Sequence, residues 1–195
     1  MHAKPYHREN LREQLIDAGI ELIGETGPEA FTLRRVAAKC QVSHTAPYSY
    51  FRDKDALIAA MGEHVTGLLM ADLRLAVTDK DPSCPKIPLL GHAYINFFME
   101  HPRYYRFLFD YADVTIDLDG ENERNFPPFQ LFRGAVYDMF RSLGVPRAEY
   151  VKNLTALWAM AQGVVSLLTN PNIRYKGDWR EVYTNTIFSG HRDPL

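Results

Sequence analysis

The chain has 195 residues, of which 46% are hydrophobic and 24% charged, and its formal net charge is -2. This is the composition of an average globular protein with enough residues for a substantial core. No run of 18 apolar residues occurs and the first residues lack an apolar signal region, so we expect a cytoplasmic protein without a membrane span. Cys40 and Cys84 form no CxxC pair, which argues against a disulfide framework or a zinc site.

Charge is distributed unevenly along the chain. Residues 1–29 contain three basic and six acidic side chains, whereas residues 30–59 contain five basic and two acidic ones. A local basic surface can attract phosphate even on a slightly acidic protein. The second segment is therefore a candidate for contact with nucleic acid.

The N-terminal part begins with a helical pattern. Apolar residues recur at helical spacing from Leu11 to Ile23, and this amphipathic helix is expected to end at residues 26–28, where Gly and Pro follow Thr. Thr32 then offers a hydroxyl N-cap to a short helix over Leu33–Lys39.

A third short helix is predicted after a four-residue turn. Ser43 can cap this helix, which would run to about Phe51, and Asp53 can cap a long fourth helix. Two short helices joined by such a turn match helix-turn-helix geometry, in which the second helix enters the major groove of DNA.

The remainder of the chain is also helical in pattern. A proline-rich loop at residues 79–88 and an acidic loop at about residues 113–128 separate the predicted helices. These helices cover residues 89–100, a short stretch after Pro102, and residues 129–143, 146–168 and 179–189. The prediction is an all-α protein of about nine helices, with a helix-turn-helix domain at residues 1–58 and a helical ligand-binding and dimerisation domain at residues 59–195.

Ten spaced residues in the N-terminal part resemble the TetR family of transcriptional regulators. They are Thr32, Val36, Ala37, Val42, Ser43, Tyr48, Tyr50, Phe51, Lys54 and Leu57. This resemblance implies a dimer that binds double-stranded DNA at a pseudo-palindromic operator, because one helix-turn-helix contacts few base pairs. It also implies the fold derived above from the helical pattern.

The resemblance further implies individual DNA contacts. Thr32, Tyr48, Tyr50 and Lys54 are expected to contact phosphates, and Ser43 belongs to the same pattern. Arg34, His44 and Thr45 are placed to reach base edges or nearby phosphates.

Two residues depart from the family pattern. Gln41 stands where the family usually has Gly, and a left-handed backbone there would strain glutamine by about 1 kcal/mol. Pro47 lies early in the third helix, where it removes at most the first backbone hydrogen bond.

Helix 146–168 is the candidate for dimerisation, with helix 179–189 completing a four-helix interface. One face of helix 146–168 carries a stripe of small residues, namely Ala156, Ala159, Gly163 and Ser166. Close approach by another helix would explain a glycine at position 163, although packing within the chain is the alternative. Residues 158–163 also resemble the W-x-x-x-H-G signature of one TetR subgroup, with Gln162 in place of His.

Aromatic residues cluster in the middle of the chain, and an apolar cavity among them would suit a small apolar or aromatic effector. The candidate lining residues are Tyr94, Phe98, Tyr105, Phe109, Phe132 and Trp158. Packing in the core is the alternative for each. No catalytic motif, cofactor fingerprint or metal-ligand spacing occurs, so we expect no cofactor and no enzymatic activity.

Three functional classes follow. The first is a repressor released from DNA by an effector, where the direction of control is inferred from the family. The second is a DNA-binding regulator without a small ligand, controlled by a protein partner or by abundance; a fully packed C-terminal core would favour it, whereas an empty aromatic cavity would favour the first. The third is a carrier or enzyme that does not bind specific DNA.

Overall fold

The computed structural model describes residues 11–78, 80–81, 84–120 and 125–189. Within these residues there are eight α-helices and no strand, which confirms the all-α prediction. The helices are α1 (Leu11–Thr26), α2 (Leu33–Lys39), α3 (Lys54–Val77), α4 (Lys86–Glu100), α5 (Pro102–Asp110), α6 (Pro127–Ser142), α7 (Tyr150–Thr169) and α8 (Trp179–Ser189).

The chain divides into two compact units. Unit 1 comprises the residues up to Val65 together with Arg106–Asp113, and unit 2 comprises Thr66–Tyr105 and the residues from Val114 onward. The predicted division at residue 58 remains a prediction.

Unit 1 is held together by apolar residues from each of its short elements. Leu15 and Ile23 of α1, Val36 of α2, and Phe31 and Phe51 from the connecting segments are all buried. A seven-residue helix such as α2 is unstable in water by itself, so this burial is what maintains it. Val42, in the turn after α2, is only half-buried.

The end of α2 is closed by a Schellman motif. The N–H of Val42 donates to the Ala37 carbonyl at 3.0 Å, and the N–H of Gln41 donates to the Ala38 carbonyl at 3.1 Å. This motif places its C′ residue in the left-handed region, and Gln41 has φ = 56°. The expected left-handed conformation at this position is therefore present.

The predicted third α-helix is wrong in type and length. The segment contains a 3₁₀ helix over Ala46–Ser49 only. Ser43 does not act as its N-cap; its hydroxyl accepts from the N–H of Thr45, two residues on, at 3.2 Å. Pro47 occupies the first turn and has no N–H to donate, which limits the helical hydrogen bonds that this segment can form.

Unit 2 is built around α4, which packs against α6, α7 and α8. The closest approach is at Gly91, because a Cβ at this position would lie 1.8 Å from Cε1 of Tyr183. Tyr183 is completely buried. Only glycine at position 91 allows α8 to lie this close to α4.

The helix limits in unit 2 differ modestly from those predicted. α4 begins at Lys86, three residues before the predicted start, because Pro88 falls in its first turn, where proline is tolerated. A short 3₁₀ helix over Arg147–Glu149 precedes α7, which the sequence predicted to begin at Pro146. The predicted limits of α8 are confirmed.

We predict that Gln41→Gly stabilises the protein by about 1 kcal/mol, because glycine adopts positive φ without the Cβ strain of an L residue. Urea unfolding followed by circular dichroism measures this as a higher midpoint at unchanged slope. Gln41→Ala is the matched control, since it keeps a Cβ and should leave the midpoint nearly unchanged. Equal midpoints for the glycine and alanine variants would contradict the assignment of strain.

Candidate nucleic-acid interface

The start of α2 is fixed by Thr32. Its backbone is extended, and its hydroxyl accepts a hydrogen bond from the N–H of Arg35 at 3.2 Å. The Arg35 guanidinium in turn donates to the carbonyl of Ala30 at 2.8 Å. Both side chains are exposed, but each also holds the turn that precedes α2.

Arg34 differs from the other cations of this region. It is exposed, and among the described residues no hydrogen bond or ion pair engages its side chain. Lys39 forms ion pairs with Glu21 at 3.1 Å and Glu25 at 3.2 Å, and hydrogen bonds to these carboxylates raise its pKa. Part of the positive charge that the sequence assigns to residues 30–59 is therefore compensated by carboxylates, and Arg34 is the cation of α2 whose side chain no described residue engages.

The segment of residues 43–50, here called the recognition segment, has an exposed polar surface. Ser43, His44 and Thr45 are exposed, and the Ser43 and Thr45 hydroxyls lie 2.6 Å apart in a hydrogen bond. Tyr48 is 58% exposed and Tyr50 39%. The structure thus brings five of the predicted contact residues onto one exposed segment, although not onto the α-helix that was expected.

Lys54 is placed differently from the other candidates. Its Nζ donates to the Pro28 carbonyl at 2.7 Å and lies 6.0 Å from the centroid of the Phe31 ring. Lys54 therefore links the start of α3 to the turn between α1 and α2. An ammonium has three donors, so two N–H groups remain for a phosphate.

Asp53 sets the start of α3 and so the position of Lys54. Its carboxylate accepts from the N–H of Ala56 at 2.8 Å, as the sequence predicts for an N-cap. This hydrogen bond, and secondarily the neighbouring Arg52, lowers the pKa of Asp53. The carboxylate also stabilises the positive end of the helix dipole.

The predicted effector residues do not form one lining. Tyr94, Phe132 and Trp158 line a cavity in unit 2 together with Leu73, Leu90, Gly91, Pro128 and Ala161, here called the core cavity. Phe98 contacts Tyr94 and Tyr105 at ring-centroid distances of 4.9 and 5.4 Å but does not line the cavity. Phe109 belongs to unit 1.

The core cavity is nearly filled. Its volume is about 10 Å³, which is close to the space that one water molecule needs. Trp158 occupies the centre of the surrounding rings, with centroids 5.1 to 5.6 Å from those of Phe129, Phe132 and Tyr94. The aromatic cluster in the sequence does not indicate the aliphatic residues that also line the core cavity. Helical spacing predicts only that such residues belong to the core.

Two features of the described residues bear on metal binding and on membrane insertion. No group of three or more His, Cys, Asp or Glu side chains is arranged to hold a metal ion there. α3 is long and apolar enough to cross a membrane by length and composition alone. It is also a helix whose residues Leu57, Met61 and Val65 form part of the buried core of unit 1, so the membrane criterion carries little weight.

Two family models match the chain. One, described as "Bacterial regulatory proteins, tetR family", matches residues 15–61, and another, described as "Tetracyclin repressor-like, C-terminal domain", matches residues 87–187. The chain is 38% identical over 81 residues to the regulator BetI of Burkholderia ambifaria, which is 42% of this chain and 40% of BetI. It is 33% identical over 61 residues to the repressor Rv3405c of Mycobacterium tuberculosis, which is 31% of this chain and 32% of that protein. The matches therefore span about a third to two fifths of these relatives.

Solved structures with the same fold cover nearly the whole chain. A protein of unknown function from Rhodococcus sp. RHA1 has a TM-score of 0.74 at 22% identity and covers 96% of this chain and 98% of its own. A TetR family regulator from Marinobacter aquaeolei has a TM-score of 0.69 at 15% identity, and the match covers 90% of this chain and 93% of that regulator. At these identities the likeness establishes the fold alone.

A helix-turn-helix domain and a helical C-terminal domain, each matched by a regulator family model, define a DNA-binding transcriptional regulator. The chain belongs to the TetR family. Its likeness to the W-x-x-x-H-G subgroup remains a prediction.

Replacing Asp53 with alanine should lower the melting temperature at neutral pH, because it removes the N-cap of α3. A carboxylate whose pKa is lowered by folding stabilises the protein above its unfolded pKa, and this stabilisation is lost as the pH falls through the folded pKa. The difference between wild type and Asp53→Ala should therefore close below about pH 4. Thermal unfolding followed by circular dichroism at a series of pH values tests this. Asp55→Ala is the control, and an equal loss in that variant would argue against a specific cap.

Proposed function

We propose that the protein is a homodimeric, sequence-specific repressor that binds a pseudo-palindromic operator in the cytoplasm through Thr32, Arg34, Lys54 and the recognition segment. The observation that carries this proposal is the exposed surface of Arg34, His44, Thr45 and Tyr48 in a helix-turn-helix unit whose large apolar residues, such as Phe31 and Phe51, are buried in its core. Hydroxyls and Lys54 would fix the register on phosphates, while Arg34 and His44 would select bases. Repression is supported by the M. tuberculosis relative, which is a transcriptional repressor.

The dimer proposal rests on one face of α7. The small residues Ala156, Ala159, Gly163 and Ser166 are all exposed, and Leu167 beside them is 45% exposed. Among the described residues, none lies within 4 Å of a Cβ built on Gly163. Packing within the chain therefore does not account for a glycine that costs an α-helix about 1 kcal/mol relative to alanine, whereas close approach of a second copy does.

Control by a small apolar or aromatic effector forms part of the same proposal. The core cavity supplies a position at which a ligand can enter among Tyr94, Phe132 and Trp158 if these rings move apart. The near-complete filling of this cavity supports a second candidate, a DNA-binding regulator without a small ligand. Direct measurement of ligand binding to the full chain distinguishes the effector-controlled repressor from the regulator without a small ligand.

Arg34→Ala should weaken binding to DNA selected from a random pool by about tenfold or more, since it removes the cation of α2 that no described residue engages. Footprinting and a binding titration measure the loss, and a salt series distinguishes a phosphate contact from a base contact. Lys39→Ala is the matched control: it removes the same charge from the same helix, but from a side chain paired with Glu21 and Glu25. Unchanged affinity for Arg34→Ala, or an equal loss for both, would refute the assignment.

Gly163→Arg should convert the dimer into a monomer, because the long side chain would occupy the space of the second copy. Sedimentation velocity measures the mass, and the affinity for a palindromic site should fall at least tenfold as the paired heads separate. Gly134→Arg on α6 is the matched control, since this glycine is also helical and exposed with no described neighbour within 4 Å. A Gly163→Arg protein that remains dimeric would exclude this face of α7.

A further inference from the structure

The wall of the core cavity carries no ionisable acid or base apart from the Tyr94 phenol. Its other lining residues are aliphatic or aromatic or a glycine, namely Leu73, Leu90, Gly91, Pro128, Phe132, Trp158 and Ala161. A charged group placed among them would lose its hydration without gaining a counter-charge. Any molecule that enters this cavity must therefore be uncharged.

Among the described residues that line the core cavity, Tyr94 is the one with a side-chain hydroxyl. Tyr94 is 3% exposed, and its hydroxyl donates a hydrogen bond to Oε1 of Gln162 at 2.8 Å. Burial, and secondarily Tyr105, raises the pKa of Tyr94 well above its ordinary value, so the phenol remains protonated at neutral pH. A ligand that separates the two side chains without bonding to them would leave a buried hydroxyl unpaired, which is unfavourable.

A ligand hydroxyl satisfies both partners. Inserted between them, it accepts from the Tyr94 hydroxyl and donates to the Gln162 carbonyl oxygen, so that neither group loses its hydrogen bond. An ether or ketone accepts from Tyr94 but offers nothing to Gln162, and a hydrocarbon offers nothing to either. The pair therefore favours an alcohol or a phenol over other uncharged molecules of the same size.

Gln162 lies between two faces of α7. Its neighbours one turn away include Trp158 and Val165, which are buried, and Ala159 and Ser166, which are exposed. Gln162 itself is half-buried. The hydrogen bond between Gln162 and Tyr94 therefore lies next to the exposed face of α7, through which we propose that the protein dimerises.

We propose that the effector is an uncharged apolar alcohol or phenol whose hydroxyl binds between Tyr94 and Gln162, which makes these two residues determinants of specificity. This inference rests on the effector part of the proposed function. It adds to that proposal the polar group of the ligand and the two residues that bind it. One of these residues, Gln162, lies beside the exposed face of α7.

Three fluorinated probes of matched size test the inference: 4-fluorophenol, fluorobenzene and 4-fluorobenzoate, each titrated against the full chain and observed by ¹⁹F NMR. The expected result is that 4-fluorophenol binds about five- to tenfold more tightly than fluorobenzene, which corresponds to one hydrogen bond, and that 4-fluorobenzoate does not bind. In Tyr94→Phe the preference for the phenol should decrease, because only its donation to Gln162 remains, while fluorobenzene still binds.

Tyr137→Phe is the matched control, because Tyr137 packs on Tyr150 at 5.0 Å outside the core cavity, and it should bind as wild type does. Circular dichroism verifies that each variant is folded. Equal binding of 4-fluorobenzoate, an unchanged phenol preference in Tyr94→Phe, or no binding of any probe would overturn the inference. Titration of the same samples with selected DNA separates the two levels: DNA binding without probe binding refutes the inference alone, whereas loss of both refutes the proposed function.

Discussion

The constraint on which the head depends is that its elements are too short to be stable individually. α2 has seven residues and the recognition segment contains only a short 3₁₀ helix, so their conformations persist only through burial of residues such as Phe31, Val36 and Phe51. The apolar residues are thereby committed to packing. Polar residues between them, above all Arg34 and Tyr48, are left exposed on a surface that these buried contacts hold in place, as recognition of DNA requires.

The C-terminal unit uses a different arrangement, in which large rings pack around a few small residues. Trp158 contacts Tyr94, Phe129 and Phe132, and the resulting core leaves a cavity of about 10 Å³. Within such a densely packed interior a ligand enters only by moving side chains from one arrangement to another. An effector that occupies this cavity would for that reason select a conformation different from the one described here, and the energy of that change would be taken from its binding.

Local chemistry made much of the fold predictable from the sequence. The caps at Thr32 and Asp53 and the left-handed residue Gln41 were predicted, because each depends on residues within a few positions along the chain. The short 3₁₀ helix at Pro47 was missed, since the Ser43 hydroxyl suggested an N-cap and a helix that runs to about Phe51. The candidate DNA contacts came from the family resemblance, whereas the ion pairs of Lys39 and the bond from Lys54 to the Pro28 carbonyl join residues distant in sequence. The core cavity depends on how side chains fill space, which periodicity does not encode.

The contact between Gly91 and Tyr183 restricts how the C-terminal unit can move. The tyrosine ring fits against a backbone that carries no side chain, and the residues one turn before and after Gly91 on α4 include Ile87 and Ile95. A shift of α8 along α4 would bring that ring against a larger side chain, so sliding between these two helices is sterically blocked. The hydrogen bond between His92 and Thr184 at 2.6 Å joins the same pair of helices. α4 and α8 would consequently move together in a rearrangement of this unit, and the change would be absorbed where this pair of helices packs against α6 and α7.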